Sequence, residues 1–255
     1  MSERLEATGV SFAYGDHPVL ERVDLTVEPG RLGLLAGCNG AGKSTLMALL
    51  AGVRAPTSGE VRVGARRLAD LGAAARARAI AWIPQASDTS FEFTVLEVVM
   101  MGRHPHIPRL GVPSPDDRAA VDRAMQRTDT THLAGRSVRS LSGGELRRVH
   151  LARALATEAP VLLADEPTAS LDLEHAVAIL ELFVALCREG RAVLVSSHDL
   201  NLVAPRCDSV ALLHRRRIHR QGAPAEVLDG STVAEVFRVR SDPPSGYFPR
   251  DFRAP

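Results

Sequence analysis

Three short stretches of this chain carry residue types at spacings that could do chemistry. Gly37-Cys38-Asn39-Gly40-Ala41-Gly42-Lys43-Ser44-Thr45 fits the pattern G-x-x-x-x-G-K-[ST] and follows an apolar run, Leu32-Gly33-Leu34-Leu35-Ala36. Glycines at that spacing let successive backbone N–H groups turn inward around phosphate oxygens. A helix starting at the end of the loop adds the positive end of its dipole. Lys43 would reach the β- and γ-phosphates, and the Ser44 hydroxyl would ligate magnesium. A tight glycine turn with an incidental lysine is the bland alternative, and the strand–loop–helix context argues against it.

The second stretch is Val161-Leu162-Leu163-Ala164-Asp165-Glu166, two acids at the end of an apolar strand. Ligands of parallel α/β sheets bind beyond the carboxyl ends of the strands. Asp165 would orient magnesium through water, and Glu166 would polarise an attacking water as general base. Taken alone, these could be solvated acids at a strand end. The third stretch, Ser142-Gly143-Gly144-Glu145, reads as a capping box, with Ser142 at the N-cap and Glu145 three residues on, opening a helix over 146–156. Capping does not explain the glycine pair, which costs roughly 1 kcal/mol per glycine relative to alanine inside a helix. Two glycines at a helix start would expose N–H groups to an anion, making this a second candidate phosphate contact.

The elements that must position these stretches read as an α/β core. Alternating segments at 5–12, 23–27 and 61–63 make the opening third β-rich, and apolar strands follow at 32–36, 79–83, 161–164 and 192–196. Helices are expected over 44–51, 173–188 and 201–207. Residues 94–101 and 118–125 read as helices joined by a proline-rich link, 103–115, so about 87–157 form a helical subdomain inserted in the core. The main domain would run over 1–240. The tail, 241–255, contains four prolines and is expected to be loosely ordered.

Bulk numbers narrow the function classes. The chain has 255 residues, 45% hydrophobic but only 4% aromatic, so aliphatic side chains must fill the core. Thirty-one basic and 30 acidic residues leave a formal charge of +1, and no basic field for a nucleic acid is visible. Three scattered cysteines, Cys38, Cys187 and Cys207, do not form a disulfide framework, and a reducing compartment is expected. Met1-Ser2-Glu3-Arg4 has no apolar region behind it, so no signal peptide is expected. No apolar run approaches the ~20 residues of a membrane-spanning helix.

Leu141-Ser142-Gly143-Gly144-Glu145 resembles the signature sequence of ABC ATPases, and that family's other motifs stand in order around it. The resemblance covers residues 1 to about 240. It implies a P-loop NTPase core with an N-terminal antiparallel β-subdomain and an inserted α-helical subdomain. It also implies that ATP and Mg2+ are bound and ATP hydrolysed. Tyr14 matches the aromatic that stacks on adenine, and Gln85 the glutamine near magnesium and the γ-phosphate. Ser170-Leu171-Asp172 matches the D-loop, and His198 the histidine that contacts the γ-phosphate. The catalytic set so implied is Glu166, His198, Gln85 and Lys43; magnesium falls to Ser44, Gln85 and Asp165. Nucleotide contacts fall to Tyr14, to Gly37, Cys38, Asn39, Gly40, Ala41, Gly42, Lys43, Ser44 and Thr45, and to Ser142, Gly143, Gly144 and Glu145.

One copy of each motif per chain implies a homodimer with ATP sandwiched between the phosphate loop of one subunit and the Ser142 region of the other. The resemblance also assigns 91–102 to docking on transmembrane permease subunits, with Val98 and Met101 expected at the contact. That places the chain on the cytoplasmic face of the membrane, linked indirectly to an extracytoplasmic substrate-binding protein. Phe93-Thr94-Val95-Leu96-Glu97, Gly102-Arg103-His104-Pro105-His106 and Leu173-Glu174-His175 resemble importers of iron-siderophores, haem and cobalamin. Other ABC importers or exporters and soluble ABC ATPases are the alternatives. A P-loop kinase would lack Ser142-Gly143-Gly144, and a non-hydrolysing module would not need Lys43, Asp165, Glu166 and His198 together.

Three further features carry weaker expectations. His104 and His106 form H-x-H in a proline-rich loop without nearby acids, thin grounds for a metal. Arg215-Arg216-Arg217 reads as the turn of a late hairpin, with Arg216 where the family often has glycine. Cys38 is either a reactive thiol in the cradle or a filler with its sulfur turned away.

Overall fold

A computed structural model describes residues 3–85, 92–108, 110–169 and 171–238. The tail 241–255, Ser170 and Phe91 lie outside the described residues, and so does the start of the expected helical insertion.

Two sheets form. Strands β1 (Leu5–Tyr14), β2 (His17–Val27), β4 (Ser58–Val63) and β5 (Arg66–Arg67) make a four-stranded antiparallel sheet in the order β2-β1-β4-β5. Strands β3 (Leu32–Ala36), β6 (Ile80–Ile83), β7 (Val161–Asp165), β8 (Ala192–Ser196), β9 (Ser209–His214) and β10 (Arg217–Gly222) make a six-stranded sheet in the order β10-β9-β3-β8-β7-β6. All neighbours in it are parallel except the β9–β10 hairpin. This is the ABC ATPase form of the α/β class.

The central strands read as continuous apolar runs because both of their faces are buried. Leu32, Leu34 and Ala36 of β3, Leu162 and Ala164 of β7 and Val193 and Val195 of β8 face one core. Leu35, Leu163 and Leu194, from the alternate positions, face the other. The first core is closed by helices α3 (Val95–Met100), α4 (Pro115–Arg127), α5 (Gly143–Ala156) and α6 (Leu173–Arg188). The second is closed by α1 (Lys43–Leu50) and the antiparallel sheet.

Several elements differ from the sequence reading. Helix α2 (Ala73–Ala79) was not foreseen: it is mostly alanine and arginine and buries only Ala79, so no apolar stripe marks it. The helix expected over 201–207 is broken. Helix α7 (Leu200–Val203) ends before a 3-10 turn, Ala204–Arg206, that carries Pro205 near its start. Proline has no N–H to continue an α-helical ladder. Two short helices, α8 (Pro224–Val227) and α9 (Gly230–Phe237), close the described chain. Of the triple-arginine stretch, Arg215 and Arg216 form the hairpin turn between β9 and β10, and Arg217 opens β10. Arg215 and Arg216 have φ of 46° and 70°, the conformation a two-residue hairpin demands and glycine adopts most readily. Arg216 is tied there by its guanidinium donating to Glu21 at 2.9 Å.

The proline-rich link is anchored by a buried cation. Arg103 donates to Asp117 at 2.9 Å, to the Ala156 carbonyl at 2.8 Å and to Glu158 at 2.9 Å, joining the link to α4 and to the end of α5. His106 Nε2 lies 2.9 Å from the Thr157 carbonyl and His104 is exposed. Among the described residues no group of three or more His, Cys, Asp or Glu side chains is placed to hold a metal.

Candidate active site

Because β3, β6, β7 and β8 are parallel, their carboxyl ends emerge at one edge of the sheet, where the chain places its polar residues. Beyond β3 the loop turns on glycines for steric reasons. A Cβ on Gly37 would stand 2.5 Å from the Leu213 carbonyl oxygen, and Gly42 has φ 104° with Val19 against it. Gly42 is the N-cap of α1 and supplies no side-chain cap, and the first turn holds no acid. The first N–H groups of α1 therefore have no side-chain acceptor, and the positive end of its dipole faces the loop. Lys43 is 6% exposed, and its ammonium donates to the carbonyls of Gly37 at 2.9 Å and Cys38 at 3.3 Å.

The other strand ends supply the acids. Asp165 ends β7, is buried, and accepts from the hydroxyl of Ser196 at the end of β8. Glu166 follows with φ 49°, a left-handed conformation that costs a non-glycine residue about 1–3 kcal/mol and persists only where its surroundings over-determine it. They do. Its N–H is shared between the Ser196 carbonyl at 3.2 Å and the Ser196 hydroxyl at 3.0 Å. Its carbonyl accepts from Arg147 at 2.7 Å. The turn aims the carboxylate so that Oε2 lies 3.1 Å from His198 Nδ1 and accepts from the Gln85 amide at 3.4 Å. Gln85, Glu166, His198, Asn39, Gly40 and Gly42 to Thr45 line one cleft of about 590 Å³. Val19 and Ala169 also line it and were not foreseen.

Not every expected residue joins this cleft. Tyr14 is at the end of β1, 44% exposed, with its ring edge-to-face on Phe12 at 4.9 Å. The Arg54 guanidinium sits 5.0 Å from its centroid, a cation–π contact that the sequence did not disclose. Ser142 and Gly143 are exposed and lie outside the cleft. Their capping box is present: Ser142 N–H donates to Glu145 at 2.7 Å, and Glu145 N–H to the Ser142 hydroxyl at 3.3 Å. Hydrogen bonds from the Ser142 N–H, and then from its side chain, to the carboxyl hold Glu145 below the usual carboxylate range. Asp172 likewise caps α6, accepting from His175 N–H at 2.9 Å.

Cys38 belongs to the cradle by its backbone only. Its thiol donates to the Val236 carbonyl of α9 at 3.1 Å and lines a separate cavity of about 530 Å³ behind the loop. Cys187 and Cys207 are buried in the core, and burial pushes the Cys187 thiol up to about 12 and that of Cys207 further. Val98 is corrected too: with Val95 and Val99 it faces the core, while Phe93 and Leu96 are the exposed apolar residues of this segment. Met101 is half-buried.

The family described as "ABC transporter" matches residues 20–169 of this sequence, the stretch from β2 through the phosphate loop, the Ser142 helix and the acids of β7. The chain belongs to that family. Among relatives, it is 46% identical over 247 residues to a cobalamin import ATP-binding protein of Halobacterium salinarum, covering 95% of this chain and 62% of that protein. It is 45% identical over 243 residues to a hemin import ATP-binding protein of Streptomyces coelicolor, covering 95% of this chain and 85% of that one. The chain thus spans less than two thirds of the length of the cobalamin relative. Among solved structures it superposes with a TM-score of 0.82 and 28% identity on a chain of a metal-chelate type ABC transporter in an inward-facing conformation, covering 94% and 90% of the two chains. A dimeric bacterial ABC transporter cassette gives 0.76 and 27%, covering 86% and 98%.

Arg147, Ser196 and Arg54 escaped sequence reading. Each acts across the fold on a residue that the sequence did single out.

Proposed function

We propose that this chain is the ATP-binding and hydrolysing subunit of an ABC importer for a metal chelate of the haem, cobalamin or iron-siderophore kind. The observation that carries it is the Glu166 carboxylate, held by its turn against His198 and Gln85 in the same cleft as the Lys43 loop. The cobalamin and hemin import relatives supply the substrate class.

In this reading the loop N–H groups and Lys43 bind the phosphates of ATP, and Tyr14, backed by Arg54, stacks on the adenine. Glu166 takes a proton from water as the water oxygen bonds to the γ-phosphorus. The bond from that phosphorus to the β-phosphate oxygen breaks, and ADP leaves. His198 fixes Glu166 and contacts the γ-phosphate. Ser44, Gln85 and Asp165 offer oxygen donors only, which suits a hard cation such as Mg2+. Magnesium would supply charge neutralisation of the phosphates there.

Two chains complete two sites, each phosphate loop facing the partner's Ser142, Gly143 and Gly144. The nucleotide-binding unit is 1–240 with the helical subdomain inserted at about 87–157. Among the described residues no helix is long and apolar enough to cross a membrane. Attachment at the cytoplasmic face of the membrane therefore falls to permease subunits docked on Phe93 and Leu96, with a substrate-binding protein on the far side. Leu96→Glu should abolish transport by the assembled importer while the isolated chain hydrolyses ATP normally. Normal transport by that variant would move the docking surface elsewhere.

The deciding experiment uses Glu166→Gln. Loss of a positioned base should lower turnover by about 10²-fold or more while ATP still binds. With ATP, size-exclusion chromatography of this variant should show a dimer. Hydrolysis near the wild-type rate removes Glu166 from its role, and a monomer at saturating ATP removes the sandwich.

A further inference from the structure

Arg147 sits near the start of the α5 helix that carries Ser142-Gly143-Gly144, yet its guanidinium points into the chain's own catalytic edge. One Nη donates to the Gln85 carbonyl at 3.1 Å and the other to the Glu166 carbonyl at 2.7 Å. These carbonyls lie at the ends of two neighbouring strands, β6 and β7. The planar fork of arginine fixes two acceptors relative to each other, which a lysine ammonium on a flexible stem does not do. Burial lowers the guanidinium's affinity for its proton, and the nearby charges of Asp165 and Glu166 oppose that effect. The cation is thus partly withdrawn from water, and it donates to peptide carbonyls although two carboxylates are near.

We propose that Arg147 is a positioning residue that couples the two nucleotide sites of the dimer. It hangs the backbone of Gln85 and Glu166 from the helix whose N-terminus meets the partner's ATP. This rests on the sandwich dimer proposed above. Glu166 is held in its left-handed turn by bonds at its N–H and its carbonyl, and Arg147 supplies the second. A shift of α5 as Gly143 and Gly144 engage the partner's phosphate moves the guanidinium with it. The peptide planes of Gln85 and Glu166 follow, and both side chains are re-aimed at the chain's own ATP. Occupancy of one site is then read by the base of the other.

The test measures steady-state hydrolysis by the full chain against ATP concentration for wild type, Arg147→Met and Arg147→Lys, with thermal melts alongside. Arg147→Met should lower kcat by about 10²-fold, the scale of a small misplacement of catalytic groups, with half-saturating ATP little changed. Its Hill coefficient should fall from about 2, the number of sites, to about 1. Arg147→Lys, which keeps the charge and the stem, should melt like wild type, fall between the two in kcat and also lose cooperativity. It carries the test if Arg147→Met does not fold. In the Glu166→Gln background, Arg147→Met should still form the ATP-driven dimer. A kcat close to wild type, a Hill coefficient unchanged by either substitution, a non-cooperative wild type, or loss of the dimer together with kcat would each overturn the coupling. Failure of Glu166→Gln alone to dimerise sinks the sandwich reading itself, a result distinct from a normal dimer whose cooperativity ignores Arg147.

Discussion

Helices α1 and α5 both carry glycine at their N-terminal ends, as N-cap in α1 and in the first turn of α5, beside a place where phosphate is expected, but these ends are finished in opposite ways. Helix α1 starts from Gly42, with no side-chain cap and no acid in its first turn. Helix α5 starts from Ser142, with a full capping box and Glu145 in its first turn. A glycine N-cap costs a helix only about a few tenths of a kcal/mol relative to serine, so α1 cheaply leaves open a terminus that an anion from outside the chain would satisfy. Helix α5 is satisfied from within, and Glu145 already answers its dipole. Only the N–H groups of Gly143 and Gly144 remain without an intrahelical or capping partner. In the proposed function, the α1 site therefore holds a phosphate on its own. The α5 site needs a phosphate held in place by something else, and a partner chain's loop is what the proposed dimer provides.

The largest expected effects separate the two ends outright. Lys43→Ala should cut hydrolysis by about 10²–10³-fold, the scale of losing one strong donor to transition-state charge. It should weaken ATP binding by the isolated chain as well. Ser142→Arg should leave that binding intact and abolish the ATP-driven dimer in the Glu166→Gln background, because it puts bulk and charge at the second contact. Binding of a fluorescent ATP analogue and size-exclusion chromatography read the two arms. Weakened binding by monomeric Ser142→Arg would erase the contrast between the helices.

A smaller effect belongs to α5 alone. His150 lies two turns beyond Ser142, 7% exposed, with neither ring nitrogen hydrogen-bonded. Burial, and then the charges of Arg153 and Arg147, push its pKa down from 6.5 to about 4. The unfolded chain therefore binds the proton more tightly, and between these two pH values it carries more protons than the folded one. Stability is complete above pH 6.5, falls as pH drops through that window and levels off near 4. At about 1.4 kcal/mol per unit the loss by pH 5 is on the order of 2 kcal/mol. His150→Met should flatten the melting temperature between pH 7.5 and 5. An unchanged slope in that variant would assign the acid lability to other groups.

Legibility in the sequence follows the distance over which a feature is determined. The capping box of α5 and the buried strands β3, β7 and β8 were readable because each is set by adjacent residues. The phosphate loop was readable because its residue types recur at a fixed short spacing, whereas the close approach of the Leu213 carbonyl to Gly37 comes from the distant strand β9 and was not. The face of α3 was misread: Val95, Leu96, Val98, Val99 and Met100 are all apolar, and only packing selects Val95, Val98 and Val99 as the inner set. Arg147 could not be read at all, since its acceptors lie 62 and 19 residues away. The left-handed turn of Glu166 was equally invisible, because the bonds that hold it come from Ser196 and Arg147 rather than from its neighbours.

The smallest predicted effect tests whether the cap of α5 is structural and separable from the phosphate contact. Ser142→Ala removes the hydroxyl that accepts from Glu145 N–H, and loss of an N-cap costs about 1 kcal/mol. For a domain of this size that is a fall of roughly 2–4 °C in melting temperature. The capping carboxylate of Glu145 still accepts from the residue 142 N–H, so the terminus is weakened rather than lost. Alanine adds neither bulk nor charge, and Gly143 and Gly144 keep their N–H groups. The ATP-driven dimer of the Glu166→Gln background should therefore survive Ser142→Ala, although it does not survive Ser142→Arg. At α1 no equivalent loss can be produced, because Gly42 contributes no side-chain cap to remove. If Ser142→Ala instead abolishes the dimer at unchanged melting temperature, the hydroxyl itself is a phosphate ligand. The two helix ends then differ less than their caps imply, because α5 would give up its own cap to hold the partner's nucleotide.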